Sequence, residues 1–166
     1  MKKVFITGGS GYVGSSLIYL MENNIDCKFV SYGRSHKKIK KIKSVKYIDG
    51  DILDQNFLKS SLNGSDIIIH LAGGGGDAHC IANPVNSTLI NILGTQYLVS
   101  AAKDCNIKKI IFVSSIYVYT SYDNIGLPIN EKTTPNPDSF YGSLKFSAEE
   151  IIKKSGINYV ICRLSN

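Results

Sequence analysis

Short apolar runs alternate with longer amphipathic ones along most of the chain. Residues 4–7 (Val-Phe-Ile-Thr) predict a strand, and 11–21 predict a helix with apolar positions spaced three to four apart. The same reading gives strands at 28–32, 45–48, 66–71, 109–114 and 159–163, and helices at 54–62, 84–105 and 139–154. The run at 66–71 is continuously apolar through Ile67, Ile68 and Ile69, as a strand covered on both faces must be. Strands that alternate with helices predict an α/β fold: a doubly wound parallel sheet in one domain over residues 1–166. The stretch 120–138 breaks the alternation and is expected to be a long loop bordering a ligand. The chain stops at Asn166 directly after a strand, which points to a truncated domain with an incomplete crevice.

The first strand is followed by Thr-Gly-Gly-Ser-Gly-Tyr-Val-Gly at residues 7–14. Gly8, Gly11 and Gly14 stand at intervals of three and lead into a helix. A tight strand-to-helix bend without Cβ atoms lets backbone approach a diphosphate at a helix N-terminus, where N–H groups are free. In this context the pattern predicts dinucleotide binding. An acidic residue at the end of the second strand would favour NAD; residues 31–35 instead read Ser-Tyr-Gly-Arg-Ser. Arg34 can bind a 2′-phosphate through its planar fork, so NADP is favoured and NAD remains open. Asp51 and Ile52, after the third strand, are placed to meet an adenine.

Tyr141 and Lys145 stand four apart on a predicted helix and share one face. Ionising a phenol near neutral pH needs a shift of about 3 units, or about 4 kcal/mol. One ammonium at about 4 Å supplies that order of energy at an effective dielectric of about 20. Ser114 and Ser115 close the fifth strand, where doubly wound sheets hold ligands. A serine there can hold a reacting oxygen while the tyrosine moves its proton.

The ordered motifs TGGSGYVG (7–14), GDILD (50–54), DIIIHLAG (66–73), NILGT (91–95), FVSSIYVY (112–119), YGSLK (141–145) and the closing VICRLSN resemble the extended short-chain dehydrogenase/reductase family, also called the NAD-dependent epimerase/dehydratase family. The resemblance implies a Rossmann fold. It gives Gly8, Gly11, Tyr12, Val13 and Gly14 to the pyrophosphate, Asp51 and Ile52 to the adenine, and Leu71, Ala72 and Gly73 to the cofactor wall. Asn91 would stand near the site. Ser115 would be the catalytic serine with Ser114 its neighbour, and Tyr141 the acid/base. Lys145 would bind the nicotinamide ribose and lower the tyrosine pKa. Three departures matter. Ile116 and Tyr117 replace the Asp-Glu pair of the 4,6-dehydratases, which speaks against dehydration. Four glycines at 73–76 replace a less flexible loop. The family's smaller C-terminal substrate domain is missing from these residues.

The expected function is therefore NAD(P)-dependent hydride transfer on a small molecule, with a nucleoside-diphosphate sugar as substrate and epimerase or keto-sugar reductase as the reaction. The alternatives are a noncatalytic NADP-binding regulator or scaffold on this fold, and an inactive cofactor-binding fragment. Composition changes little: 43% hydrophobic residues suit a globular core. Six lysines between 37 and 46 dominate the net charge of +6; they read as a solvated face, with a phosphate-facing patch as the sharper reading. No nucleic-acid motif accompanies them. Cys27, Cys80, Cys105 and Cys162 form no CxxC pair and read as free thiols of a reducing compartment, and His36, His70 and His79 fit no zinc spacing. No leader or apolar run of spanning length is seen, so a cytoplasmic location without membrane partners is expected, with a homodimer left open.

Overall fold

Six parallel strands form one sheet in the computed structural model of the chain, which describes residues 1–22, 26–119 and 128–165. They are β1 (Lys2–Thr7), β2 (Cys27–Gly33), β3 (Val45–Asp49), β4 (Ile67–His70), β5 (Lys109–Ser115) and β6 (Tyr159–Leu164), in the order β3-β2-β1-β4-β5-β6. The chain runs outward from β1 to β3, then returns to the other side of β1 at β4. That reversal opens a crevice at the carboxyl ends of β1 and β4, where Thr7 pairs with His70.

Strand alternation explains the two-faced core. Phe5 packs on one face with Leu58, Leu98 and Ile152, while Val4 and Ile6 pack on the other with Ile18 and Phe29. Helices α1 (Tyr12–Glu22), α2 (Gln55–Leu62), α3 (Asp77–Ala82), α4 (Pro84–Thr88), α5 (Gly94–Asp104) and α6 (Phe140–Lys153) surround the sheet. Two of them start on side-chain caps: Asp54 accepts the N–H of Phe57 at 3.0 Å, and Ser139 that of Gly142 at 3.0 Å.

The structure departs from the expected elements in two places. The single helix expected over 84–105 is interrupted by a π turn at Leu89–Leu93 between α4 and α5. The turn is held by side chains: Asn91 Nδ2 donates to the Ser87 carbonyl at 2.8 Å, and Thr95 Oγ1 donates to the Asn91 carbonyl at 2.5 Å. A one-residue widening of this kind leaves the apolar periodicity almost intact, so the sequence does not announce it. Helix α3 precedes it, within a stretch the sequence marks only with glycines. All six lysines between 37 and 46 are exposed, and those up to Lys43 lie on an irregular loop. Of the long loop expected at 120–138, residues 120–127 lie outside the described residues, as does Asn166 of the closing motif. Among the described residues no helix is long and apolar enough to cross a membrane.

Candidate active site

A cleft at the sheet's reversal is lined by Gly8, Ser10, Gly11, Tyr32, Gly33, Arg34, Gly50, Asp51, Ile52, Leu71, Ala72, Gly73 and Ile90. Its floor is the bend between β1 and α1. Gly8 has φ +70°, a conformation L side chains rarely adopt, and a Cβ there would stand 2.7 Å from the Ala72 nitrogen. Gly14 is needed for close packing, since a Cβ would strike Gly8 and Gly9. A Cβ on Gly11 would meet the Gly8 carbonyl at 3.2 Å and then open space. That open space above backbone N–H groups at the start of a helix fits a diphosphate.

The β2 end of the cleft fits an adenosine. Arg34 is exposed there, and Ile52 is buried. Tyr32 OH donates to the Asp51 carbonyl at 2.8 Å, fixing the turn after β3, and Asp51 Oδ1 accepts the Leu53 N–H at 2.9 Å. The acid nearest Arg34 on the neighbouring strand is Asp49, which pairs in register with Gly33. Its carboxylate is taken by buried His36, whose backbone N–H and Nδ1 both donate to Oδ1, at 3.0 and 2.5 Å. His36 Nε2 then meets Ser31 Oγ at 2.8 Å.

The cleft leads past Gly73 to the second group. A Cβ on Gly73 would lie 3.3 Å from Lys145 Nζ and 2.9 Å from Asn91 Oδ1, which places both side chains at its inner end. Lys145 is buried, donates to the Val113 carbonyl at 2.9 Å and stands 4.8 Å above the Phe112 ring. Burial draws its ammonium down to about 8, against the opposing influence of Cys80 and Glu149. Tyr141 is half-buried, its ring edge-on to Tyr117 at 5.8 Å. Its phenol is pushed above the ordinary range chiefly by burial and by Cys80, while a hydrogen bond from Ser115 pulls it down. Lys145, expected to lower this phenol, is not among the groups that shift it here. In this structure Lys145 turns to a carbonyl, and Ser115 is the neighbour that favours phenolate.

Other candidates sit elsewhere. Tyr12 and Val13 are exposed at the start of α1, and with Gly14 they flank the cleft without lining it. Ser114 is buried beside Glu149. That glutamate holds Arg163 through two hydrogen bonds at 2.9 and 2.7 Å, and Arg163 reaches Tyr119 OH at 2.6 Å. Sequence reasoning missed Ser10, Tyr32, Gly33, Gly50 and Ile90 in the cleft; Ser10 and Gly50 lie inside recognised motifs, Ile90 adjoins one, and Tyr32 and Gly33 precede Arg34. It also missed Asp77 and Cys80 of α3, which no motif marks. Among the described residues no three His, Cys, Asp or Glu side chains group as metal ligands.

Comparison with known proteins matches the model of the NAD dependent epimerase/dehydratase family to residues 4–166. A putative UDP-glucose 4-epimerase of Methanocaldococcus jannaschii is 33% identical over 98% of this chain and 55% of its own length. The dTDP-D-glucose 4,6-dehydratase of Dictyostelium discoideum is 30% identical over 100% of this chain and 44% of its own. The structure of UDP-glucose 4-epimerase from Brucella ovis in complex with NAD superposes with a TM-score of 0.87 at 27% identity, over 98% of this chain and 51% of that one. The chain thus spans about half the length of the relatives it matches.

Proposed function

The chain belongs to the NAD-dependent epimerase/dehydratase family, and from that premise we propose that it binds NAD or NADP along the cleft and oxidises and re-reduces, or simply reduces, a carbon of a nucleoside-diphosphate sugar. The observation that carries this reading is that a cleft floored by a glycine bend runs to Gly73, beside which stands Nζ of Lys145, one turn along its helix from Tyr141, whose phenol has Ser115 as a neighbour. When bound, the nicotinamide supplies the acceptor and donor of hydride. Tyr141 takes the hydroxyl proton as the sugar carbinol becomes a ketone, and returns it on reduction. Ser115 holds that same oxygen and stabilises the phenolate. Lys145 holds the ribose and offers a positive charge below about pH 8. Gly8, Gly11 and the N–H groups around Tyr12, Val13 and Gly14 hold the pyrophosphate. Asp51 and Ile52 hold the adenine, Leu71, Ala72 and Gly73 form the wall, and Asn91 and Ser114 support the inner end.

The relatives' UDP-glucose and dTDP-glucose substrates support a nucleotide sugar here. Ile116 and Tyr117, in place of an acidic pair, support epimerisation or keto-sugar reduction over dehydration. The family's cofactor and the Brucella ovis complex support NAD. Arg34, with the Asp49 carboxylate already hydrogen-bonded by His36, supports NADP binding at least as tightly. A cytoplasmic enzyme without nucleic-acid or membrane partners fits this role. The test is turnover of UDP-hexoses with NAD or NADP by the chain and by Tyr141→Phe. The variant should lose at least about a hundredfold in kcat yet keep cofactor affinity. Turnover equal to wild type, or affinity lost with it, contradicts the role given to Tyr141.

A further inference from the structure

Asp77, a carboxylate outside the catalytic group, reaches the backbone of the residue that bears the phenol. It opens α3 directly after the four glycines, and its Oδ1 accepts the Tyr141 N–H at 3.0 Å across a separation of 64 residues. The next N–H of α6, that of Gly142, is served by Ser139 at 3.0 Å. Two of the four free N–H groups that open the catalytic helix are thus bound from different elements. An anionic acceptor is favoured at that positive helix end.

The other side of the same turn is also fixed. Gly142 lies so close to the Tyr117 carbonyl that no Cβ fits between them, and the Tyr117 N–H is bound to Ser115 Oγ at 3.3 Å. The first turn of α6 is therefore pinned between the Ser115 turn and α3. One turn along α3 from Asp77, Cys80 is close enough to act electrostatically on both Tyr141 and Lys145. The loop before α3 is tied to α3 itself: the Gly75 carbonyl accepts from Cys80 Sγ at 3.3 Å, and the Gly76 carbonyl accepts the His79 and Cys80 N–H groups at 3.1 and 3.2 Å. Asp77 provides the polar tie between α3 and the helix of the phenol.

We infer that Asp77 is a positioning residue: its hydrogen bond to the Tyr141 N–H sets the height of the phenol over Ser115. The inference rests on the proposed function, which gives Tyr141 the proton. Loss of the bond lets the start of α6 lift, weakens the Ser115–phenol contact and leaves burial to raise the phenol further.

The experiment is an alkaline titration of the whole chain labelled with carbon-13 at tyrosine Cζ, the Tyr141 signal being the one lost in Tyr141→Phe. Wild type, Asp77→Ala and Asp77→Asn are compared; asparagine keeps an oxygen acceptor at the same place. Asp77→Ala should titrate about half a unit or more above wild type, with Asp77→Asn within about 0.2 unit of it. In turnover, Asp77→Ala should lower kcat roughly 10- to 100-fold with KM little changed. NAD affinity should stay within about twofold in all three, since the glycine bend is untouched. A Tyr141 signal that titrates alike in all three proteins, or an asparagine variant no better than alanine, overturns the inference. Absence of turnover in wild type would count against the proposed function and leave the titration to decide the part of Asp77.

Discussion

His70 has two ring nitrogens and two hydroxyl partners, Thr7 Oγ1 at 2.7 Å from Nδ1 and Thr95 Oγ1 at 3.1 Å from Nε2. Thr95 spends its own hydrogen on the Asn91 carbonyl, so Nε2 carries the ring proton and Nδ1 accepts from Thr7. Thr7 Oγ1 in turn accepts the Ala72 N–H at 3.2 Å, beside the cofactor wall. This assignment follows from the network and makes the neutral ring the form that satisfies every partner. Complete burial, then the charge of Lys145, lowers the pKa from 6.5 to about 3. Between those values the unfolded chain binds a proton that the folded chain refuses, so acid favours unfolding. This contribution to stability is full above about pH 6.5 and drains by a few kcal/mol as pH falls toward 3. Denaturant midpoints across that range should flatten in His70→Asn; an unchanged slope contradicts a buried neutral histidine. Arg34 carries a second prediction at this scale. Arg34→Ala should weaken NADP roughly tenfold more than NAD, the usual loss of one charged hydrogen-bonding partner. Equal losses would remove the 2′-phosphate argument. Tyr141 and Lys145 stand out in the sequence because they lie four apart on one helix, and Ser115 because it ends a strand. Asp77 does not, since its partner is a backbone N–H remote in sequence.

Element by element, strands read more clearly than the helical connections. All six strands fall where continuous apolar runs predict them, with ends shifted by one or two residues. The region from 77 to 104 reads poorly because its break is a polar substitution of backbone bonds, made by Asn91 and Thr95, and not a change of period. That π turn places Asn91 Oδ1 next to Gly73, at the inner end of the cleft. The contact between the α6 start and the Ser115 turn is equally invisible in sequence, though Gly142 is its trace. Gly142→Ala forces a Cβ against the Tyr117 carbonyl and should cost roughly 1–3 kcal/mol. Turnover should fall further than stability alone explains, because α6 must lift. A variant as stable and active as wild type would show that this turn is not pinned.

At the scale of the molecule, the topology delivers the site. Apolar clusters on both faces fix the sheet, and the reversal at β1 brings the glycine bend, the turn after β3 and the end of β4 together. The doubly wound sheet was legible from alternation alone, whereas the order of strands needed the structure. Half the length of the relatives lies beyond what these residues match, and the choice of sugar belongs to the proposed function. The claim on which the rest depends is that a dinucleotide lies on the bend between β1 and α1. Gly11 offers the most direct test, because a Cβ there presses only on the Gly8 carbonyl, at 3.2 Å, and otherwise points into open space. Calorimetric titration of NAD and NADP into wild type and Gly11→Val should show affinity lowered at least about tenfold, with the unfolding midpoint shifted by no more than a few degrees. Equal affinity in the two proteins would place the cofactor elsewhere and contradict the account.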